Sequence, residues 1–181
     1  MKASRTAALI ALNLVLCAGL AQGKTGDNEQ PVNVVATRSD VDNKTGNVIY
    51  TGNVVITQGS LKLQADKVTL YRSKDGSELE RMVADGHPAI YNQLTDKNEP
   101  VEGRARQIDY ATASGIVVFL TEVKLTQGGG DTMEANRVEY DTNKNTVQAT
   151  ATEGGRVTSV YLPRKKGETP KPETENKDKA Q

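Results

Sequence analysis

The sequence predicts an all-β domain built by repetition of one unit of strands and turns. Residues 36–59 (ATRSDVDNKTGNVIYTGNVVITQG) align without a gap with residues 105–128 (ARQIDYATASGIVVFLTEVKLTQG), 69 positions later, and eight of the aligned residues are identical. Within both copies apolar and polar residues alternate, which is the period of a half-buried strand. Turn-forming residues recur at short intervals, and there is almost no helical period. Such a repeat indicates an elongated sheet, made by stacking one unit, with two free ends.

The first 23 residues have the features of a cleaved signal peptide. Lys2 and Arg5 supply a positive n-region, and residues 6–20 form an apolar run that is too short to span a bilayer comfortably. Small residues offer cleavage before Gln22 or before Lys24, and the second site gives a domain that starts at residue 24. We therefore expect the protein to be exported from the cytoplasm.

Cys17 is the one cysteine of the chain and opens an alternative, a lipoprotein. Leu16, directly before it, is larger than the small residue that lipoprotein processing usually requires, so we favour the cleaved peptide. Cleavage would remove the thiol, which leaves packing alone to stabilise the domain. It would also remove Lys2 and Arg5 and shift the formal net charge from +0 to about −2, a balance that does not indicate a nucleic-acid partner.

Alternation continues from strand to strand and defines one apolar face. In the first copy of the repeat Val54 and Ile56 take alternate positions, and Val123 and Leu125 take the same places in the second. The predicted face consists of Val48, Tyr50, Val54, Ile56, Leu61, Leu63, Val68, Leu70, Ile108, Val117, Phe119, Val123, Leu125, Val138 and Tyr140. No amphipathic helix is available to cover this face, so it must meet another sheet or a ligand.

A shorter motif recurs at residues 65–71, 105–110 and 135–140. Each copy has a small residue, two polar residues, a β-branched residue and then a tyrosine two or three positions later. The alternation changes phase across the two polar residues, as a bulge requires if both flanking segments are to face one interior. We expect each copy to be a strand that bends at an edge of the sheet; a plain turn is the alternative.

The sequence gives an enzyme little support. His87 is the one histidine, and its place between Gly86 and Pro88 predicts a surface loop. No second histidine and no other cysteine is present for a metal site or a nucleophile system, so we expect no catalytic residues, metal or cofactor. Residues 40–46 lack the third acidic ligand and distal glutamate of a calcium loop.

Several motifs together resemble the OstA-like family. The core of the resemblance is residues 52–59 (GNVVITQG), followed by residues 65–68 (ADKV). Shorter matches continue in order along the chain, at Thr25-Gly26-Asp27 with Gln30-Pro31, Asp85-Gly86 with Pro88-Ala89, Pro100 to Gly103, and Arg156 to Thr158 with Leu162-Pro163. The resemblance covers essentially all of residues 25–163, and the departures from it fall at turns or at variable positions of the repeat.

This resemblance implies an open, V-shaped antiparallel β-jelly roll with an apolar groove along its length. Its implied function is to bind lipopolysaccharide in the periplasm and to bridge the inner and outer membranes, with the lipid A acyl chains in the groove. The groove lining would be the predicted face together with Val32, Val34 and Tyr91. Family members join head to tail by strand addition, and the chain would perform no chemistry itself.

The same resemblance implies partners at both ends of the sheet. An inner-membrane-anchored, LptC-like partner would pair with the N-terminal edge, and an outer-membrane, LptD-like translocon would pair with the C-terminal edge. Few charges guard these edges, which makes them docking strands or aggregation hazards. The edge residues are Val32, Val34 and Val35 at one end and Val157, Val160 and Leu162 at the other.

From the residues alone, a closed core remains open as the alternative to a lipid-lined interior. A closed β-sandwich that binds a polysaccharide or another envelope protein is the corresponding alternative function. The domain is expected to end at residue 162. Residues 163–181 contain no large apolar side chain, so they predict a disordered polar tail, with docking through Arg164, Lys165 and Lys166 as the alternative.

Overall fold

The computed structural model describes residues 24–73 and 75–163. One 3-10 helix, Lys24–Glu29, precedes ten strands, and no α-helix occurs in these residues. The strands are β1 (Asn33–Val35), β2 (Arg38–Val41), β3 (Val48–Gln58), β4 (Leu61–Arg72), β5 (Leu79–Leu94), β6 (Pro100–Ala111), β7 (Ile116–Gln127), β8 (Asp131–Asp141), β9 (Thr146–Thr150) and β10 (Thr158–Val160). The predicted signal peptide and polar tail lie outside the described residues, apart from Pro163.

All ten strands belong to one antiparallel sheet whose order follows the chain. The path is β1-β3-β4-β5-β6-β7-β8-β10, with β2 paired to β3 and β9 paired to β8. Consecutive long strands are joined by tight turns, such as Gly59-Ser60 between β3 and β4. The path starts at β1 and ends at β10 without returning on itself, so the sheet is open and has two ends.

The pairing register shifts once near the middle of each pair of long strands. The shifts lie between Thr51 and Val54 in β3, Gln64 and Lys67 in β4, Asp85 and Ala89 in β5, Arg104 and Gln107 in β6, and Leu120 and Val123 in β7. Because they fall at the same level of the sheet, they form one crease that crosses every long strand. The crease divides the sheet into two half-sheets of eight strand segments each.

We call the two parts half-sheet A and half-sheet B. Half-sheet A contains β1, β10 and the strand segments 54–58, 61–65, 89–94, 100–105, 123–127 and 131–135. Half-sheet B contains β2, β9 and the segments 48–51, 67–72, 79–85, 107–111, 116–120 and 137–141.

The two half-sheets face each other across an apolar interior. Phe119 in half-sheet B packs directly over Gly103 in half-sheet A. Its ring also meets the ring of Tyr91, again in half-sheet A, with 5.6 Å between centroids and an interplanar angle of 86°. This edge-to-face geometry is a favoured arrangement of aromatic pairs. Side chains from both halves therefore meet in one core.

At the crease both copies of the repeat adopt the same unusual backbone. Gly52 and Asn53 have φ angles of 82° and 45°, and Thr121 and Glu122, at the matching positions of the second copy, have 66° and 55°. A β-branched residue such as Thr121 rarely takes a left-handed conformation. The second copy keeps this backbone without the glycine, which indicates that the bend itself is required by the fold.

The structure confirms the predicted fold class, an open all-β jelly roll assembled from repeated strand units. The bend expected at the short recurring motif is also present. Ala65 and Val68 are buried, while Asp66 and Lys67 between them are exposed, as the phase change predicts.

The prediction of a surface loop at His87 is wrong in one respect. His87 is exposed, but it lies within β5, at the crease, with a cis peptide bond to Pro88. Its ring Nδ1 lies 2.9 Å from the Asp66 carboxylate on the neighbouring strand. The proline interrupts the strand alternation because the crease passes through it, and β5 continues on both sides.

Candidate functional site

The interior between the half-sheets contains all of the predicted lining residues. Thirteen of the strand residues predicted for the apolar face are buried, and Val48 and Tyr50 pack partly buried against them. Tyr91 is buried at the centre, and Val32 and Val34 pack partly buried at the β1 end. Contact of these side chains with a lipid stays a prediction.

Inward-facing side chains form rows that cross the sheet from end to end. In half-sheet A one row runs through Val34, Ile56, Leu63, Tyr91, Gly103, Leu125 and Met133, which are partners in the strand register. In half-sheet B the facing row runs through Tyr50, Val68, Ala84, Ile108, Phe119, Val138 and Ala149. Burial is nearly complete on the central strands and partial on the outer ones. The apolar interior reaches β1 at one end and β9 at the other, while the next partners in the rows, Ser39 of β2 and Ser159 of β10, are polar and exposed.

Gly103 is a point of close approach between the half-sheets. A Cβ placed there would lie 2.9 Å from Cδ1 of Phe119 and closer still to two other ring atoms. The ring therefore rests on bare backbone, which a side chain at this position would prevent. The contact is what lets the two half-sheets close on each other at the centre.

We call the side of the interior opposite the crease the open side. Three tyrosines, Tyr91, Tyr110 and Tyr140, lie close together near it. Burial raises the pKa of Tyr91 well above its usual value, and its neighbours Tyr110 and Tyr140 in half-sheet B add to the shift. Burial also raises the pKa of Tyr140 to about 12, with smaller contributions from Asp96 and Asp141. Asp96 lies in the turn after β5, at the end of half-sheet A.

Asp27 of the 3-10 helix is buried at the same open side. Its carboxylate accepts hydrogen bonds from the Ser60 backbone N–H (2.9 Å), the Ser60 hydroxyl and the Gln93 side-chain amide (3.2 Å). Gln93 in turn accepts a hydrogen bond from the Tyr91 hydroxyl. The network links the N-terminal segment to the central aromatic pair.

The two ends of the sheet differ in how their apolar residues are placed. In β1, Val34 faces the interior, and Val35 is 68% exposed. At the other end β10 covers only Thr158–Val160, shorter than the predicted edge of residues 157–162. Val160 is 52% exposed, and Leu162, just beyond the strand, lies over Gly130 and donates its backbone N–H to Asp131 (3.0 Å). Val157 is also exposed and outside β10.

The outer surface of the sheet carries paired charges. Arg106 and Glu122 form a bidentate pair across the crease, and Arg81 forms another with Asp109 while stacking over Tyr71. Exposed pairs of this kind contribute little to stability. Within residues 24–73 and 75–163, no three His, Cys, Asp or Glu side chains come together as metal ligands. The same residues contain no helix that is long and apolar enough to cross a membrane.

Sequence reasoning missed part of the core and the buried Asp27. The missed core residues are Met82, Ala84, Ala89, Val101, Ala105 and Tyr110. A signal was present for β5, since Met82 and Ala84 alternate up to the crease and Ala89 and Tyr91 resume the alternation after it. Asp27 carried no such signal because its partners are distant in the sequence.

The predicted alternative of a closed β-sandwich is not what the structure shows. One continuous sheet folds over at the crease, and its path ends at β1 and β10 instead of closing. Both ends present strand edges next to exposed apolar side chains. The site is therefore an apolar interior between the two ends of the sheet. On the side opposite the crease it is bordered by the polar groups around Asp27.

The chain is similar to known proteins in sequence and in fold. Residues 33–146 match the family described as "LptA/(LptD N-terminal domain) LPS transport protein". The lipopolysaccharide export system protein LptA of Escherichia coli (strain K12) is 35% identical over 175 residues, which cover 89% of this chain and 93% of that protein. The lipopolysaccharide export system protein LptH of Pseudomonas aeruginosa is 34% identical over 168 residues, which cover 88% of this chain and 95% of the relative.

A solved structure agrees with the fold. The crystal structure of LptH, described as the LptA-homologous periplasmic component of the conserved lipopolysaccharide transport device from Pseudomonas aeruginosa, superposes with a TM-score of 0.69 at 33% identity. The match covers 76% of this chain and 99% of that one. By sequence along most of its length and by its open β-jelly roll, the chain belongs to the LptA/LptD N-terminal domain family of lipopolysaccharide transport proteins.

Proposed function

We propose that this protein carries lipopolysaccharide across the periplasm and bridges the inner and outer membranes. The acyl chains of lipid A lie between the half-sheets, and the sugars project from the open side. The observation that carries this proposal is the apolar interior that extends between the two free ends of the sheet, in a chain whose relatives are named lipopolysaccharide export proteins. The protein acts as a binding and transport component and has no catalytic role in the proposal.

The interior is suited to acyl chains because its lining is almost entirely hydrocarbon. The facing rows consist of aliphatic and aromatic side chains, with the hydrogen-bonding groups kept at the open side. Transfer of a methylene group from water to such surroundings contributes about 0.8 kcal/mol. Even partial insertion of an acyl chain is therefore favourable, provided that the half-sheets separate at Phe119 and Gly103.

The two ends of the sheet are the proposed sites at which this protein joins other copies and its partners. Edge strands offer unpaired backbone groups, and proteins that avoid association usually guard them with charges or bulges. Here Val35 at one end and Val160 at the other are exposed and uncharged. Strand addition between these edges would join copies head to tail and continue the apolar interior from one to the next. An LptC-like partner would use the β1 end and an LptD-like partner the β10 end.

The proposed location is the periplasm. The solved relative is described as a periplasmic component, and residues 1–23 have the composition of an export signal.

Photo-crosslinking tests the proposed lipid site by comparing positions on the inner face with positions on the outer face. We expect a photoreactive residue at Phe119 or Leu125, on the inner face, to capture purified lipopolysaccharide. One at Lys124, on the outer face next to Leu125, should capture little, and Ile49 on the outer face of β3 provides an apolar control. The readout is the fraction of protein shifted to a lipopolysaccharide adduct after irradiation. Equal labelling at inner and outer positions would contradict the groove.

A further inference from the structure

We propose that the N-terminal 3-10 helix, Lys24–Glu29, is a strap that closes the open side of the interior and must detach before a lipid can enter. This inference rests on the proposed function. Its basis is the set of contacts that Asp27 makes at the place where the sugars of a bound lipid would leave the groove.

The strap is held to half-sheet A by one buried carboxylate. Asp27 accepts two hydrogen bonds from Ser60, in the turn between β3 and β4, and one from Gln93 near the end of β5. Gly59 allows the close approach, since a Cβ there would lie 2.9 Å from Cα of Asp27. The Ser60 hydroxyl also accepts a hydrogen bond from the backbone N–H of Leu94 (3.3 Å), so the strap, the turn and β5 form one polar cluster.

The strap is anchored at the inner face of half-sheet A. Gln93 belongs to the same inward alternation as Tyr91, and its strand partner Val101 is buried. Asp27 is bonded to the Gln93 amide (3.2 Å) and is itself buried, so it lies at the inner face of half-sheet A on the open side. The charge of Asp27 also contributes to the raised pKa of Tyr110 in half-sheet B, whose main cause is burial.

The contacts that hold the strap are of a kind that can break reversibly. Gly26, Glu29 and Gln30 are exposed, and the anchor consists of hydrogen bonds instead of buried apolar side chains. Water can replace hydrogen bonds of this kind, so their net contribution is small compared with that of a buried apolar side chain. After the strap in the sequence, the chain is held by a hydrogen bond from the Gln58 amide to the carbonyl of Gln30 (3.2 Å). It is held further by the pairing of β1 from Asn33 onward. Detachment would thus move only the segment before residue 30.

The obstruction follows from the shape of the cargo. A lipid with its acyl chains between the half-sheets must pass its sugars out through the open side, because the crease closes the opposite side. A segment anchored at the inner face of half-sheet A on the open side lies across that exit. Lipid loading and the closed strap are then mutually exclusive at this position.

A reversible covalent lock tests the strap. Cysteines replace Asp27 and Ser60, whose side chains are in contact, in a background with Cys17→Ser so that no other thiol is present. The oxidised protein holds the strap shut, and the reduced form of the same protein lacks the Asp27 hydrogen bonds and leaves it free. We expect capture of purified lipopolysaccharide by a photoreactive residue at Phe119 to fall by at least about tenfold on oxidation, because the disulfide keeps nearly all of the protein in the closed state, and to return on reduction.

Two controls make the result specific. A cysteine pair at Lys124 and Glu134, cross-strand neighbours on the outer face, should form a disulfide without changing capture. Asp27→Ala, which only weakens the anchor, should raise the initial rate of capture above that of the unaltered protein. Equal capture by the oxidised and reduced Asp27/Ser60 protein would overturn the strap while leaving the groove intact. Failure of the reduced and unaltered proteins alike to capture any lipopolysaccharide would instead overturn the proposed function.

Discussion

Replacing Phe119 with alanine should lower the free energy of unfolding by about 3–5 kcal/mol, the usual range for deletion of a buried phenylalanine. Phe119 is fully buried and is the side chain through which half-sheet B contacts both Gly103 and Tyr91. Its removal deletes the aromatic pair and leaves a cavity where the two half-sheets are in contact. Urea denaturation followed by circular dichroism measures the change.

Ile49→Ala is the matched control for this prediction. Ile49 lies on the outer face of β3, at a position equivalent by the repeat to Val118, next to Phe119. We expect its effect to stay below about 1 kcal/mol because the side chain is already partly exposed to water. A loss of under 1 kcal/mol for Phe119→Ala would show that the half-sheets do not depend on this contact to stay closed.

Gly103→Ala tests the same contact from the other side. The added Cβ meets the Phe119 ring, so we expect a loss of about 1–3 kcal/mol from overpacking. In a Phe119→Ala background the same substitution has room, and its cost should vanish or change sign. The coupling free energy from the double-mutant cycle measures this dependence. Additive effects would mean that the two residues do not touch in solution.

Blocking one edge with a charge should stop self-association, and mixing two blocked variants should restore a single junction. Val35→Lys places a charge at the β1 end, and Val160→Lys places one at the β10 end. Charged residues on edge strands are a common means of preventing strand addition. For a head-to-tail assembly each variant alone should be monomeric at concentrations at which the unaltered protein forms chains. The mixture should stop at a dimer because each variant keeps one open edge.

Sedimentation velocity over a range of concentrations distinguishes these states. Ile49→Lys, an equally simple charge substitution on the outer face and away from both edges, should leave the chains unchanged. If either edge variant still forms dimers alone, the interface joins like ends and the head-to-tail arrangement is wrong. The design keeps β10 in place, since its deletion would expose Thr132–Glu134 of β8 as a new edge.

The sequence was informative wherever the determining contacts were local or periodic. The repeat predicted stacked strands, and its two copies indeed become β3 and β7, with the same left-handed bend at positions 52–53 and 121–122. Alternation identified the inward face because the period of a strand assigns each side chain to one side of the sheet. The phase change at residues 65–68 marked the crease for the same reason.

What could not be predicted depends on contacts between distant parts of the chain. Asp27 looks like an ordinary exposed acid until the turn at Ser60 and the amide of Gln93 are placed beside it. The place of His87 between Gly86 and Pro88 predicts a surface loop, whereas the structure has both His87 and Pro88 within β5, although proline is rare in a central strand. It is tolerated here because the crease already breaks the ladder between Asp85 and Ala89.

The packed interior has a consequence for how cargo would move. Phe119, Tyr91 and their neighbours already exclude water from the interior. An acyl chain that moves along it would therefore pass from one apolar environment to another, without a new transfer out of water at each position. Most of the free-energy gain from leaving water would then come at the entrance. Further movement would depend on how easily the half-sheets separate, and the contact of Phe119 with Gly103 would oppose it. A push applied at one end would therefore be needed to carry the lipid past this contact.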